Sequence, residues 1–173
     1  VKELSEDDLI KLNIGAFREN GSVVDMIGNA GVSVAGAAGQ TYTGLISKGV
    51  PSMALADGPA GVRIARDYAE DKDGLPHMLG ASIPESMIAF IPKAMGFFVN
   101  LFTYKPKKTD VIKHQYATAI PIGTAIAQSF NTDFAQTCGD IVGFEMEYFT
   151  VDLWLAPALN IHRTIRCGRN FEY

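Results

Sequence analysis

A carboxylate in a glycine-rich loop is the first residue whose type and setting suggest chemistry. Asp57 begins the segment Asp-Gly-Pro-Ala-Gly (57–61), directly after the apolar run Ser-Met-Ala-Leu-Ala (52–56). A short apolar run bounded by proline is typical of a buried parallel strand, which predicts Asp57 at the carboxyl end of that strand. There it is either a carboxylate that faces a cleft and binds ligand, or a turn-forming aspartate that bonds its own backbone.

A second polar loop, residues 157–173, follows the apolar run Val-Asp-Leu-Trp-Leu-Ala (151–156). Its charged and titratable residues include Arg163, Arg166, Arg169, His162 and Glu172. Guanidinium groups are planar multiple donors, so this composition favours an anionic or polyhydroxylated ligand. The alternative is a loop fixed by its own arginine–carboxylate pairs, for instance with Glu172.

Other chemistries find little support in the sequence. The glycine-rich segment 28–39 has neither phosphate-binding signature, so an unrelated nucleotide-binding α/β domain is a weak alternative. The three histidines lack metal-ligand spacing among themselves and toward the cysteines, and no serine stands in a nucleophile elbow. We therefore expect neither a metal nor another cofactor.

Composition excludes several classes of partner. The 173 residues carry 15 basic and 19 acidic side chains, a net charge of −4, which argues against a nucleic-acid surface. The most apolar stretch, 83–102, is interrupted by prolines and charges, which argues against a membrane span. Two cysteines make no disulfide framework and the acidic opening segment resembles no signal peptide, so a cytoplasmic location is expected.

Periodicity predicts the elements that position the two loops. A helix is expected over 5–17, capped by Ser5 and stopped at Gly15, and another after Asn131. Its apolar face is predicted to contain Phe134, Cys138, Ile141, Val142 and Phe149, with Asp140, Glu145 and Glu147 mostly off that face. We expect a solvated loop over 65–82, a strand end at 120–123 and a helical apolar face over 88–102.

Strands that alternate with helices, and that are followed directly by polar residues, indicate a parallel α/β fold. In both a (β/α)₈ barrel and an open doubly wound sheet, the site is built at the carboxyl ends of the strands. Either architecture therefore places the Asp57 loop and the 157–173 loop at the same end of the molecule.

Three long motifs, in this order, resemble glycoside hydrolase family 3, the β-glucosidase family. They are Leu-Ala-Asp-Gly-Pro-Ala-Gly-Val-Arg (55–63), Thr-Ala-Ile-Pro-Ile-Gly-Thr-Ala (118–125) with Gln-Ser-Phe-Asn (128–131), and the segment from Leu153 through Arg163 that closes in Cys-Gly-Arg-Asn-Phe-Glu-Tyr (167–173). The resemblance implies a TIM-type (β/α)₈ barrel, which takes about 250 residues. We therefore expect 1–173 to be an incomplete first part of the family's N-terminal barrel domain, with an inserted loop and helix at about 65–116. The opening residues resemble bacterial members whose two main domains occur in reversed order.

By this resemblance the protein is part of a retaining, exo-acting β-glycosidase that takes small oligosaccharides or aryl β-glycosides. Asp57 and Arg169 match the family's contacts to the terminal sugar in the −1 subsite, and Arg63 matches a motif arginine expected to support the Asp57 loop. The sequence departs from the family at Thr-Ile-Arg (164–166), where Asn/Ser-Pro-Leu is usual. Loss of the proline and gain of a charge argue against assuming unchanged specificity.

The residues that would perform the chemistry are not recognised in this sequence. A retaining glycosidase uses two carboxyl groups about 5 Å apart. The family nucleophile is an aspartate usually followed by tryptophan, whereas the single tryptophan, Trp154, follows a leucine. Lys113 and His114 resemble a sugar-binding pair but precede the position where the family has it, so we interpret them as surface residues. We assign no catalytic residue and expect the isolated chain to be inactive. The alternative is a non-catalytic carbohydrate-binding module that self-associates through its apolar 88–102 segment.

Overall fold

The computed structural model describes residues 3–16, 31–80 and 103–173. The predicted apolar face over 88–102 lies outside these ranges, as does the start of the glycine-rich segment. In chain order the elements are α1 (Glu6–Ile14), β1 (Gly39–Gln40), a 3-10 helix (Thr43–Lys48), β2 (Ala54–Asp57), β3 (Asp67–Glu70), β4 (Pro76–Met78), β5 (Val111–His114), α2 (Gly123–Gln128), α3 (Thr132–Tyr148), β6 (Leu153–Leu155) and a 3-10 helix (Asn170–Glu172).

The helix starts predicted from sequence are confirmed. The Ser5 hydroxyl accepts a hydrogen bond from the Asp8 amide at 3.2 Å, and the Asp8 carboxylate accepts one from the Ser5 amide at 2.9 Å. This reciprocal capping box satisfies amide groups that have no partner inside the helix. The Asn131 side chain caps α3 in the same way, accepting from the Phe134 amide at 3.1 Å. Gly15 ends α1 with a φ of +84°, a conformation that favours glycine.

The first sheet brings the two predicted loops to one edge. Its strand order is β1-β2-β6, with β1 antiparallel to β2 and β2 parallel to β6. Asp57 pairs with Leu155 in the register of the parallel strands. The Asp152 carboxylate fixes the start of this pairing by accepting from the Ala54 amide at 2.7 Å. The predicted parallel relation of these two runs is therefore confirmed.

The core lies between this sheet and α3. Ala54 and Ala56 on β2 are buried, and Cys138 and Val142 face them from α3 at the spacing of one helical turn. Small strand residues let the helix approach closely. The other buried members of the cluster come from neighbouring segments and are Val34, Ala37, Val62, Ile120 and Val151.

A second sheet is formed by β3, β4 and β5, with the antiparallel order β4-β3-β5. The predicted solvated loop over 65–82 is therefore wrong, because it contains the β3–β4 hairpin. The hairpin turn is held by Asp71, whose Oδ1 accepts from the Asp73 and Leu75 amides at 3.0 and 2.9 Å. Charged residues are uncommon in strands, so the pattern of this sheet is not visible from propensity alone.

The expected barrel is not seen in the described residues. They form a mixed α/β fold with two small sheets and one parallel strand pair, and neither sheet is closed. The predicted strand end at 120–123 is wrong, since Gly123 begins α2. The predicted burial of β6 is also wrong, because Leu153 and Leu155 are each 46% exposed and Trp154 alone is half-buried.

None of the described helices has the length and apolarity needed to cross a bilayer.

Candidate functional site

The loop from Asp57 to Arg63 turns back on itself at the carboxyl end of β2. The Asp57 carbonyl accepts from the Arg63 amide at 2.8 Å, and the Gly58 carbonyl accepts from the Gly61 amide at 3.2 Å. Gly58 and Gly61 have φ values of +132° and +118°, which side chains rarely tolerate. A Cβ at Gly58 would lie 1.7 Å from the Gly61 carbonyl oxygen, so only glycine fits there.

A neighbouring segment, residues 118–120, packs directly against this loop. The Ile120 amide donates to the Ala60 carbonyl at 3.0 Å. Gly61 lies so close to the segment that a Cβ there would be 2.2 Å from the Thr118 carbonyl oxygen. Two motifs distant in sequence are therefore joined by main-chain contacts, and the position of one determines the position of the other.

Trp154 also supports the loop. It lies on β6 beside Ala56, and its Nε1 donates to the Gly58 carbonyl at 2.9 Å. In the sequence, Trp154 stands out only as a tryptophan that fails to follow an aspartate. Its role is positional, and the sequence carries no direct signal for it because the two partners are 96 positions apart.

A cleft of about 530 Å³ opens beside the loop, and this volume is within the range of small-molecule sites. Its lining residues come from the loop, the 115–119 segment and the end of the chain: Gly58–Ile64, Arg66, Gln115–Ala119, Ile122, Phe171 and Glu172. Arginine and glutamate side chains together with an exposed aromatic ring are groups that can bind a polyhydroxylated ligand by hydrogen bonding and stacking.

The three residues assigned from sequence take different positions around this cleft. Arg63 lines it, and Asp57 is half-buried directly before the first lining residue. Arg169 precedes the last 3-10 helix and is not part of the lining. Its side chain is 76% exposed and bonds Glu172, with Nε 2.6 Å from the Glu172 Oε2. The structure thus brings Arg63 and Glu172 to the cleft and pairs Arg169 with Glu172.

The Arg169–Glu172 pair is the internal pairing considered as the alternative for this loop. Its hydrogen bond raises the pKa of Arg169. The hydroxyl of Tyr173 is 2.8 Å from Cys167 Sγ, and this hydrogen bond, followed by a backbone bond from Arg169, lowers the pKa of Cys167. These four polar side chains of the loop are therefore engaged with each other in two pairs.

The unusual Thr-Ile-Arg segment (164–166) forms a hydrogen-bonded turn. The Thr164 hydroxyl accepts from the Arg166 amide at 3.2 Å, and the Thr164 carbonyl accepts from the Asn170 side chain at 2.9 Å. Ile165 at its tip is 98% exposed. Threonine here supplies, through hydrogen bonds, some of the order that proline would supply through a fixed φ.

Lys113 and His114 are separate from the loop contacts described above. Both lie on β5, where Lys113 pairs with Glu70 at 2.6 Å and His114 pairs with Asp67 at 2.7 Å. These pairs join β3 to β5, which gives the two residues a structural role in the second sheet. Within residues 3–16, 31–80 and 103–173, no group of three or more metal-ligating side chains comes together.

Glu145 is buried, and the prediction that it lies on the polar side of α3 is wrong. The residue is only 8% exposed, and its Oε1 accepts from the Thr118 amide at 2.8 Å. The available signal is its spacing from Cys138 and Val142, because positions four and then three residues apart share one helix face. Because acidic residues are usually exposed, the pattern predicts Glu145 on the solvent side and gives no indication of its contact with Thr118.

Comparison with curated proteins finds four β-glucosidases similar to this chain. Beta-glucosidase A of Butyrivibrio fibrisolvens is 33% identical over 132 residues, covering 76% of this chain and 10% of that protein. Thermostable beta-glucosidase B of Acetivibrio thermocellus is 28% identical over 125 residues, 72% of this chain and 12% of the relative. Beta-glucosidase BoGH3A of Bacteroides ovatus is 45% identical over 108 residues, 61% of this chain and 14% of the relative.

The chain therefore matches between 10% and 14% of the length of these three relatives. No protein-family model matches the sequence, and no solved structure matches it.

Proposed function

This chain is related to the glycoside hydrolase family 3 β-glucosidases, and we propose that it supplies part of the sugar-binding subsite of a retaining, exo-acting β-glycosidase. The observation that carries the proposal is that segments from all three motifs meet. The loop 57–63, the segment 118–120 and Trp154 are joined by hydrogen bonds. Residues 58–63 of the loop and residues 118–119 of the segment line one cleft with Phe171 and Glu172.

In this proposal the terminal sugar of the substrate occupies the cleft. The Asp57 carboxylate accepts hydrogen bonds from two sugar hydroxyls, and Arg169 donates to the same sugar after exchanging its contact with Glu172. Charge-assisted hydrogen bonds of this kind are short and directional, so they select one arrangement of hydroxyls. Hydroxyl contacts that strengthen as the sugar becomes oxocarbenium-like also contribute to the rate. Arg63 supports the loop through its main-chain bond to Asp57.

The chemical step itself needs two carboxyl groups about 5 Å apart, one as nucleophile and one as acid and base. The sequence contains no match to the nucleophile motif of the family. We therefore propose that both groups come from other parts of a longer polypeptide, and that the 173-residue chain alone does not hydrolyse glycosides.

The test is hydrolysis of an aryl β-glucoside by the complete polypeptide of the gene, compared with its Asp57→Ala variant. Turnover that falls steeply in the variant supports the proposal. Binding of glucose without turnover by the complete polypeptide would favour the non-catalytic carbohydrate-binding alternative. Hydrolysis by the 173-residue chain alone would contradict the statement that the catalytic groups lie elsewhere.

A further inference from the structure

The Glu145 carboxylate is buried in α3, and a buried carboxylate is costly unless its hydrogen bonds compensate. Its Oε1 accepts from the Thr118 amide at 2.8 Å. Its Oε2 is buried and has no hydrogen-bond partner among the residues that the structure describes. The side chain therefore carries a desolvation cost that an apolar residue on this helix face would avoid. Its hydrogen bond with the Thr118 amide is the contact that an apolar residue could not make.

The segment that Glu145 holds is the one against which the Asp57 loop packs. The Ile120 amide donates to the Ala60 carbonyl at 3.0 Å, and Gly61 lies against the Thr118 carbonyl with no room for a Cβ. A shift of Thr118 would therefore move the loop at both contacts. The loop is also held at Gly58, by the hydrogen bond from Trp154.

We infer that Glu145 is a positioning residue for the sugar subsite, acting through the Thr118 amide to fix the loop 58–61 and the carboxylate of Asp57 that precedes it. This inference rests on the proposed function of the cleft. The task needs an acceptor oxygen at this position, which a carboxylate supplies and which the side-chain amide of glutamine would also supply. Glu145 itself is not among the residues that line the cleft.

The experiment compares Glu145→Gln, which keeps an oxygen acceptor, with Glu145→Leu, which keeps the bulk and removes the acceptor. Glu147→Leu is the matched control, since Glu147 is exposed two positions along the same helix. Each variant of the complete polypeptide is assayed for amide hydrogen exchange at Thr118 and at the loop amides within 58–61, those of Gly58, Ala60 and Gly61, and for kcat/KM with an aryl β-glucoside. All assays are run well below the lowest unfolding midpoint.

We expect Glu145→Leu to speed exchange at Thr118 and at the loop amides, and to lower kcat/KM about tenfold. Glu145→Gln and Glu147→Leu should resemble the parent in both measurements. A double-mutant cycle with Gly61→Ala adds a direct test of the route. When the hydrogen bond between Glu145 and Thr118 is absent, Thr118 can move away from a methyl group at Gly61, so Gly61→Ala should lower kcat/KM less than it does in the parent. The combined fold-loss of kcat/KM should therefore be smaller than the product of the two single fold-losses.

Three results would overturn the inference. One is a Glu145→Leu variant that unfolds at lower temperature but keeps parental exchange at 58–61 and parental kcat/KM, which would make Glu145 a stability residue only. A second is equal damage from Glu145→Gln and Glu145→Leu, and a third is strict multiplicativity in the cycle. If Glu145→Leu does not fold, exchange at the loop in Glu145→Gln and Gly61→Ala decides the matter. We then expect parental exchange in the first variant and faster exchange in the second, and the reverse pattern overturns the inference.

Failure of the proposed function gives a different pattern. The parent polypeptide would then neither bind glucose nor hydrolyse the glucoside. The exchange measurements would still show whether Glu145 fixes the loop.

Discussion

Replacement of Gly58 by alanine should distort the Asp57 loop more than any other single methyl group added there. The new Cβ would lie 1.7 Å from the Gly61 carbonyl oxygen, whereas ordinary van der Waals contact begins at about 3.4 Å. Relieving this overlap means separating Gly58 from Gly61, and it also displaces the Gly58 carbonyl that Trp154 bonds.

The magnitude follows from the hydrogen bonds that this displacement breaks and from the strain it adds. Two hydrogen bonds to the Gly58 carbonyl contribute about 1 kcal/mol each. Holding a non-glycine residue in a strained conformation costs about 1–3 kcal/mol. We therefore expect the free energy of unfolding to fall by about 3–5 kcal/mol. For a protein of this size that corresponds to a fall of roughly 6–20 °C in the unfolding midpoint.

The assay is thermal unfolding of the 173-residue protein followed by tryptophan fluorescence, which reports on Trp154 alone because the sequence has one tryptophan. Gly74→Ala is the control, since its φ is +78° but nothing lies within 4 Å of the added methyl group. It should cost only about 1–2 kcal/mol and leave the folded-state emission unchanged. Equal effects of Gly58→Ala and Gly74→Ala would refute the reasoning, because the cost would then be backbone strain without the steric overlap.

Two further predictions concern the core and the second sheet. Val142→Ala, at a side chain that is 2% exposed, should lower the free energy of unfolding by about 2 kcal/mol in urea denaturation, and Phe144→Ala on the exposed face should cost far less. The hydrogen bond with His77, followed by one from the Leu75 amide, lowers the pKa of Asp71 to about 2. This stabilisation is complete above the unfolded value of 3.8 and is lost as pH falls toward 2, so Asp71→Asn should weaken the acid dependence of stability in that window. If the free energy of unfolding of Asp71→Asn falls with pH as steeply as that of the parent in this window, the assignment is contradicted.

Local patterns are predictable from this sequence, and long-range contacts are not. The caps at Ser5 and Asn131 follow from spacings of three residues, and β2 follows from an apolar run between prolines. The hairpin of β3 and β4 escapes prediction because charged pairs such as Glu70–Lys113 stabilise this sheet, and such pairs become visible only once the strands are placed side by side. The apolar residue types of β6 predict a buried strand, although its leucines face outward.

The candidate site shows the same limit. The loop after β2 is recognisable from its glycines and its aspartate, and the structure adds why the glycines are needed. The sequence does not reveal that Trp154 and Glu145 support this loop, because each bonds a main-chain atom that is far away in sequence. The pairing of Arg169 with Glu172 is one of the two alternatives that the sequence leaves open, since the residues are three positions apart.

The measurement that tests the central claim most directly is the hydrolysis of an aryl β-glucoside by the complete polypeptide and its Asp57→Ala variant. Asp73→Ala, in the exposed hairpin turn, is the control. Each hydrogen bond to a charged group is worth about 1.5–3 kcal/mol. Removing two such bonds should lower kcat/KM about 10²–10⁴-fold. We predict that fall for Asp57→Ala and parental activity for Asp73→Ala, and full activity in Asp57→Ala would contradict the assignment of this loop to the sugar subsite.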